Sequence, residues 1–194
     1  MSALADAPSP TSLSAERLQA WRTQLDCGFA QINDVFEACL AEAYAKLSPL
    51  GLDEYLAQAR FLGKMGRGVE PVLIFLQEWP RVAKTVGEDT LDAVMVTVRA
   101  INKSPNGKAI APFLQTLAAV ARRLPTQAQL KHYMDLSLLL LERTSGSIHG
   151  IHKTYPSPSL IVFFEKAPQL LEVLSLQGLG NWINYGIRNY SHHP

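Results

Sequence analysis

Apolar residues recur at three- and four-residue spacing along most of this chain, the period of helices that each bury one face. Ser14, with Glu16 behind it, suits a helix start. Leu18, Trp21, Leu25, Ile32, Val35 and Phe36 continue that stripe. The helix is expected to run to about Leu47, where Ser48-Pro49 stops it, because a residue before proline is pushed out of the α region. Leu52, Tyr55, Leu56, Ala59 and Leu62 predict the next helix. Leu76, Trp79, Val82, Ala83 and Val86 predict a third, and Leu91, Val94, Met95, Val98 and Ile101 a fourth. Leu114, Leu117, Val120, Ala121 and Leu124 make the fifth stripe. Thr126 and Gln129 then form a capping box for a sixth helix carrying Leu130, Tyr133, Met134, Leu138 and Leu141. That helix is apolar on more than one face, so it is expected to be central. Phe163, Phe164, Ala167, Leu170, Leu171 and Leu174 open the last pair, which Leu179, Trp182, Ile183, Ile187 and Tyr190 close.

These stripes repeat one another. Aligning Phe75, Phe113 and Phe163 brings Val82, Val120 and Leu170 into register seven residues on. Leu91, Leu130 and Leu179 follow, 16, 17 and 16 residues from each Phe, and then Val94, Tyr133 and Trp182. Pro80 and Pro168 occupy one step of the register and Ala118 the same step between them, so Pro80 is expected to kink a helix that runs through it. A fainter copy starts at Phe36 with Leu52 and Tyr55. The expected fold is all-α, an irregular array of about four helical hairpins resembling a HEAT-like solenoid, with units near 36–62, 72–102, 112–142 and 160–190. Phe36, Phe75, Phe113 and Phe163 should share similar buried positions. Residues 1–13, rich in Pro, Ser and Ala, read as a disordered tail, and 14–194 as the repeat domain.

The joints have their own chemistry. GKMGRGVEP at 63–71 could in principle cradle an anion, but it lacks the ordered phosphate-loop pattern and no strand precedes it, so it reads as a turn. SPNG at 104–107 is a turn on composition. The 50 residues from Phe113 to Phe163 exceed the earlier intervals of 39 and 38, and the excess lies in 142–159. That Gly/Ser/Pro-rich stretch is expected to be a mobile loop dispensable for folding. Beyond Tyr190 stands only Ser191-His192-His193-Pro194, without the polar-faced closing unit usual in a repeat array. The array is therefore expected to continue past 194 in the native protein.

Charge narrows the range of partners. Eighteen basic and 17 acidic residues leave a net charge of +1, which argues against a general nucleic-acid or acidic-membrane binder. The longest apolar runs, VLIFL at 72–76 and LLLL at 138–141, are far short of a membrane span, and the first residues hold no signal-peptide pattern. Cys27 and Cys39 lie 12 apart on one expected helix, about 18 Å along its axis, too far to bridge. Both read as reduced core residues of a cytoplasmic protein.

Candidate chemistry is sparse. His149, His152, Lys153 and Tyr155 cluster in the long loop, yet no third ligand stands near His149-x-x-His152, so the cluster reads as solvated or partner-contacting. His192 and His193 form a weaker pair of the same kind. Trp79, Trp182, Tyr133 and Tyr55 could line a groove, but their near-equivalent repeat positions favour core packing. An uncapped last pair would expose a Trp182–Tyr190 face, making Trp182, Tyr185 and Tyr190 candidate contact residues. Arg122-Arg123 and Lys131-His132 read as solvated basic faces. The common hydrolase and metalloprotease motifs are absent, so neither catalytic activity nor a cofactor is expected.

The stretch SPSLIVFFEKAPQLLEVLSLQGLGNWINYGIRNY, with its Phe-led first helix, proline step and Gly-Leu-x-x-Trp start of the second helix, resembles the N-terminal helical region of the NorD/CbbO proteins. The likeness covers about residues 72–194. Those proteins are von Willebrand factor A-containing partners of MoxR-type AAA+ ATPases. The resemblance implies an adaptor that delivers the ATPase's work to a target enzyme of the nitric oxide reductase or Rubisco type. The family's A domain binds a divalent ion through Asp-x-Ser-x-Ser, which this sequence lacks, so no metal residues carry over. Read without the resemblance, the chain is a free-standing helical scaffold of the HEAT or TPR kind that binds protein, or, less in keeping with its sequence, a helical regulator that binds a small molecule.

Overall fold

The computed structural model describes the backbone of residues 33–65, 69–104, 107–145 and 158–190, and within those spans the side chains of 38–142 and 160–184. Among the described residues all regular structure is helical, as the periodicity requires. In order the helices are α1 Asn33–Lys46, α2 Pro49–Lys64, α3 Glu70–Val86, α4 Leu91–Lys103, α5 Ile110–Arg123, α6 Gln127–Ser145, α7 Pro158–Val173 and α8 Leu176–Tyr190. Short 3-10 turns at Glu88–Thr90 and Gly107–Ala109 lead into α4 and α5. None of these helices is long and apolar enough to cross a membrane. The stretch 14–32, Cys27 and most of the long loop lie outside the described residues.

Local chemistry sets the boundaries. Ser48 stops α1 and starts α2: its extended backbone suits an N-cap, and its hydroxyl accepts from Gly51 N–H at 3.0 Å. Gly87 ends α3 with φ +87°, a conformation that costs an L-residue but not glycine, while its N–H donates to Ala83 C=O at 2.8 Å. The expected capping box forms at α6, where Gln129 N–H donates to Thr126 Oγ1 at 3.2 Å and Gln129 Oε1 accepts from Thr126 N–H at 3.3 Å. Ser175 caps α8 through Gly178 N–H.

Two boundaries differ from the sequence reading. The helix α6 continues to Ser145, past the point where a loop was expected, and α7 starts at Pro158. Proline is tolerated at a helix start because the first turn has no use for its missing N–H. Pro80 and Pro168 each lie inside one continuous helix.

The pairs stack in two rows. First helices pack side by side in the order α1, α3, α5, α7, and second helices in the order α2, α4, α6, α8, the first row more closely. The apolar core runs through the pairs between the rows. Phe75, Phe113 and Phe163 are all buried in it, as are Leu52, Leu91, Leu130 and Leu179. The side chain of Phe36 lies outside the described residues. Each buried phenylalanine contributes about 1.5–3 kcal/mol relative to exposure. Tyr133, Met134, Leu136, Leu140 and Leu141 bury a wide surface of α6, which is the central position its composition demanded.

Candidate functional site

The seams between pairs show which positions reach from one pair to the next. At the first seam Tyr55 of α2 packs against Phe75 of α3, ring centroids 5.5 Å apart. Its hydroxyl donates to Leu76 C=O at 2.7 Å. That carbonyl is the one that residue 80 would serve within the helix, and Pro80 has no N–H to offer. Burial pushes the Tyr55 phenol well above its ordinary value, so it remains a donor at any physiological pH.

At the third seam Tyr133 of α6 stacks on Phe163 of α7 at 6.3 Å, five residues before Pro168. The ring contact recurs, but the Tyr133 hydroxyl has no hydrogen-bond partner. At the second seam the equivalent of the tyrosine is Val94, buried and without a donor, and the equivalent of the proline is Ala118.

Polar contacts bind the same seams. Glu88 accepts from Ser48 N–H at 2.9 Å and from the Ser48 hydroxyl, placing a carboxylate from the second pair on the N-terminus of α2. Arg99 of α4 donates to Gln58 of α2 and lies 4.2 Å from the centroid of the Phe61 ring. Arg81 reaches Glu42, which also bonds Lys46 at 2.6 Å. The Lys46 hydrogen bond, with smaller help from Lys46 and Arg81 charge, holds the Glu42 carboxyl below its ordinary value. Arg123 pairs with Glu172, so the basic Arg122-Arg123 step joins α5 to α7 rather than lying wholly in solvent. Burial raises the Cys39 thiol, a packed core group.

On the last pair the register and the burial part company. Tyr55, Trp79 and Tyr133 are fully buried, as core packing demanded. Trp182, in register with Val94 and Tyr133, is 51% exposed, which corrects the core-packing reading it shared with Tyr55, Trp79 and Tyr133 and agrees in exposure with its expected place on an open last pair. The physical reason is positional: Val94 and Tyr133 are covered by a following pair, whereas the main neighbours of α8 among the described elements are α6 and α7. Val173 stands at the step of Arg123, the residue that reaches forward to Glu172, and it is 79% exposed. Val162 is exposed on the same helix, and Leu170, Leu171 and Leu174 are only partly covered.

The other candidates fall elsewhere. His149, His152, Lys153, Tyr155, His192 and His193 lie outside the described residues, as do the side chains of Tyr185 and Tyr190 on α8. The described residues therefore leave Trp182, Val173 and Val162 exposed on the last pair, and do not test the histidine loop. Among the described residues no group of three His, Cys, Asp or Glu is placed to hold a metal ion. Sequence reading missed the Tyr55–Leu76 bond, although its signal was available in the tyrosines that precede proline-bearing helices. Compared with known proteins, the chain matches no family model, no curated protein and no solved structure.

Proposed function

We propose that the chain is a non-catalytic, cytoplasmic adaptor that binds protein through its last helix pair. In this reading it is the helical arm of a von Willebrand factor A-containing partner of a MoxR-type AAA+ ATPase, acting on an enzyme of the nitric oxide reductase or Rubisco type. One observation supports protein binding above the rest: Trp182 is half exposed at a register position buried in the earlier pairs. A large aromatic residue left open on a helix pair that also exposes two valines has the composition of a contact surface. The ATPase assignment draws on the NorD/CbbO-like texture of residues 72–194.

The test is co-purification of the tagged chain with a MoxR-type ATPase, with and without ATP. Retention of the ATPase at micromolar concentration, lost on Trp182→Ala, is the expected result. No retention removes the ATPase from the reading and leaves the free-standing protein-binding scaffold.

A further inference from the structure

The second helices of the first two pairs, α2 and α4, run side by side in one direction. Ser48 meets Glu88 near their starts, and Gln58 meets Arg99 further along. On α4 Val96 stands three residues before Arg99 and seven before Lys103, and on α2 Phe61 stands three before Lys64, so each set shares a helix face. Arg99 joins the two sets by lying over the Phe61 ring, 4.2 Å from its centroid. Phe61 is 46% exposed and Val96 51%, and both lysines are exposed. The sequence holds no Asp or Glu from 55 to 66 or from 93 to 104. Among the described residues Lys64, Arg99 and Lys103 enter no ion pair.

Lysines in a last turn complement the helix dipole, which accounts for Lys64 and Lys103 taken singly. It does not account for Arg99. The buried Gln58 accepts from its Nη2 and donates in turn to Glu54, the Phe61 ring lies against its guanidinium, and its Nε is enclosed without a partner. A cation is thus fixed in place beside open apolar surface, with no carboxylate to neutralise it directly. Going beyond the reading of the last pair, we propose that this strip docks an acidic segment of a partner protein. A Leu or Phe side chain of the segment packs on Phe61 and Val96, and Asp or Glu carboxylates one turn away pair with Arg99, Lys64 and Lys103. The other end of the strip favours a peptide over nucleic acid. Glu54 and Asp92 stand seven residues before Phe61 and Arg99 on the same faces, where they would repel a phosphodiester backbone continuing along the strip. A peptide can change sign along its length, and a nucleic acid cannot.

The experiment uses the whole chain and a fluorescein-labelled peptide, Glu-Glu-Leu-Glu-Glu-Phe-Leu-Glu-Glu-Leu. Saturable anisotropy binding is expected, weakening as NaCl rises from about 50 to about 300 mM. Phe61→Ala should weaken it at least about fivefold, as loss of an apolar anchor does. Lys64→Gln with Lys103→Gln should weaken it about three- to tenfold, the worth of two exposed ion pairs. Both lysines are exposed, so that variant keeps the test open should Phe61→Ala unfold. Lys131→Gln removes the same charge from α6 and should leave binding unchanged. Trp182→Ala should also leave it unchanged, so the strip and the last pair stand or fall separately. Absence of binding overturns the proposal, as does equal affinity for a peptide with Gln in place of Glu. So does a loss on Lys131→Gln or Trp182→Ala as large as that on Phe61→Ala. Tighter binding of a single-stranded oligothymidine or of phosphatidylserine vesicles overturns it by naming another anion, and self-association that depends on Phe61 overturns it by naming a second copy.

Discussion

The hydroxyl of Tyr55 meets the carbonyl of Leu76 across the first seam at 2.7 Å, four residues before the proline that cannot serve it. One residue thereby compensates for a helix defect 25 positions further along the chain. Tyr55→Phe should cost about 1 kcal/mol, the usual net worth of such a bond. In a Pro80→Ala background, where the introduced alanine supplies the missing N–H, the same change should cost less. Urea denaturation of the four proteins of this cycle measures the coupling. Tyr133→Phe makes the contrast: its hydroxyl is buried and meets no carbonyl across its seam, so its loss should cost less than that of Tyr55.

Gly51 lies under the carboxylate of Glu88. A Cβ there would collide with Glu88 Oε2, inside the carboxylate that caps α2. Gly51→Ala should displace that flexible side chain and cost the Glu88 clasp on Ser48, up to about 1 kcal/mol net of the helix propensity of alanine. In a Glu88→Ala background the collision is gone, and the better helix propensity of alanine should make the same substitution neutral or stabilising by up to about 1 kcal/mol. The reversal of sign, read from melting temperatures, is the diagnostic result.

Glu42 ties stability to acid. Its carboxyl is held below its ordinary value of 4.5, chiefly by the Lys46 hydrogen bond. A group depressed on folding contributes stability that is fully present above its unfolded value and is lost as pH falls through its folded one. Wild type should therefore exceed Glu42→Gln in melting temperature at pH 7, and the difference should shrink below 4.5. A side chain this accessible should also lose part of its advantage in 1 M salt. A difference that persists unchanged to pH 2.5 would point to packing instead.

The core and the last pair should respond differently to truncation. Phe113 is fully buried and packs on Phe164 with centroids 5.1 Å apart. Phe113→Ala should cost about 3–5 kcal/mol, a large share of the stability of an ordinary domain. Val162→Ser or Val173→Ser should stay within about 0.5 kcal/mol, because these side chains are exposed in the isolated chain. Denaturant midpoints at constant slope separate the two classes.

The helices were legible in the sequence because each buries one stripe, and a stripe is a local pattern. Phe75, Phe113 and Phe163 could be aligned by eye, since the seam imposes the same volume at each step. Register alone misplaced Trp182, because it reports the position within a pair, while burial depends on what the described elements pack across it. The Glu88 cap on Ser48 was invisible because it joins residues 40 apart with no periodicity between them. The Tyr55 bond to Leu76 was half legible. Tyrosine and proline both stood out, but their link runs through a backbone carbonyl that no side-chain pattern records.

The Glu88 clasp on Ser48 also bears on how the chain matures as it is made. The N-terminus of α2 is completed by a residue 40 positions downstream, so the first helix pair leaves the ribosome without its cap. Tyr55 likewise waits for Leu76, which, like Glu88, arrives on the second pair. The first hairpin is therefore finished by its successor, and its compaction should lag synthesis by one pair rather than follow it residue by residue. Nascent chains halted before residue 88 should leave the 49–64 segment open to protease, and chains halted once α4 has cleared the exit tunnel should protect it.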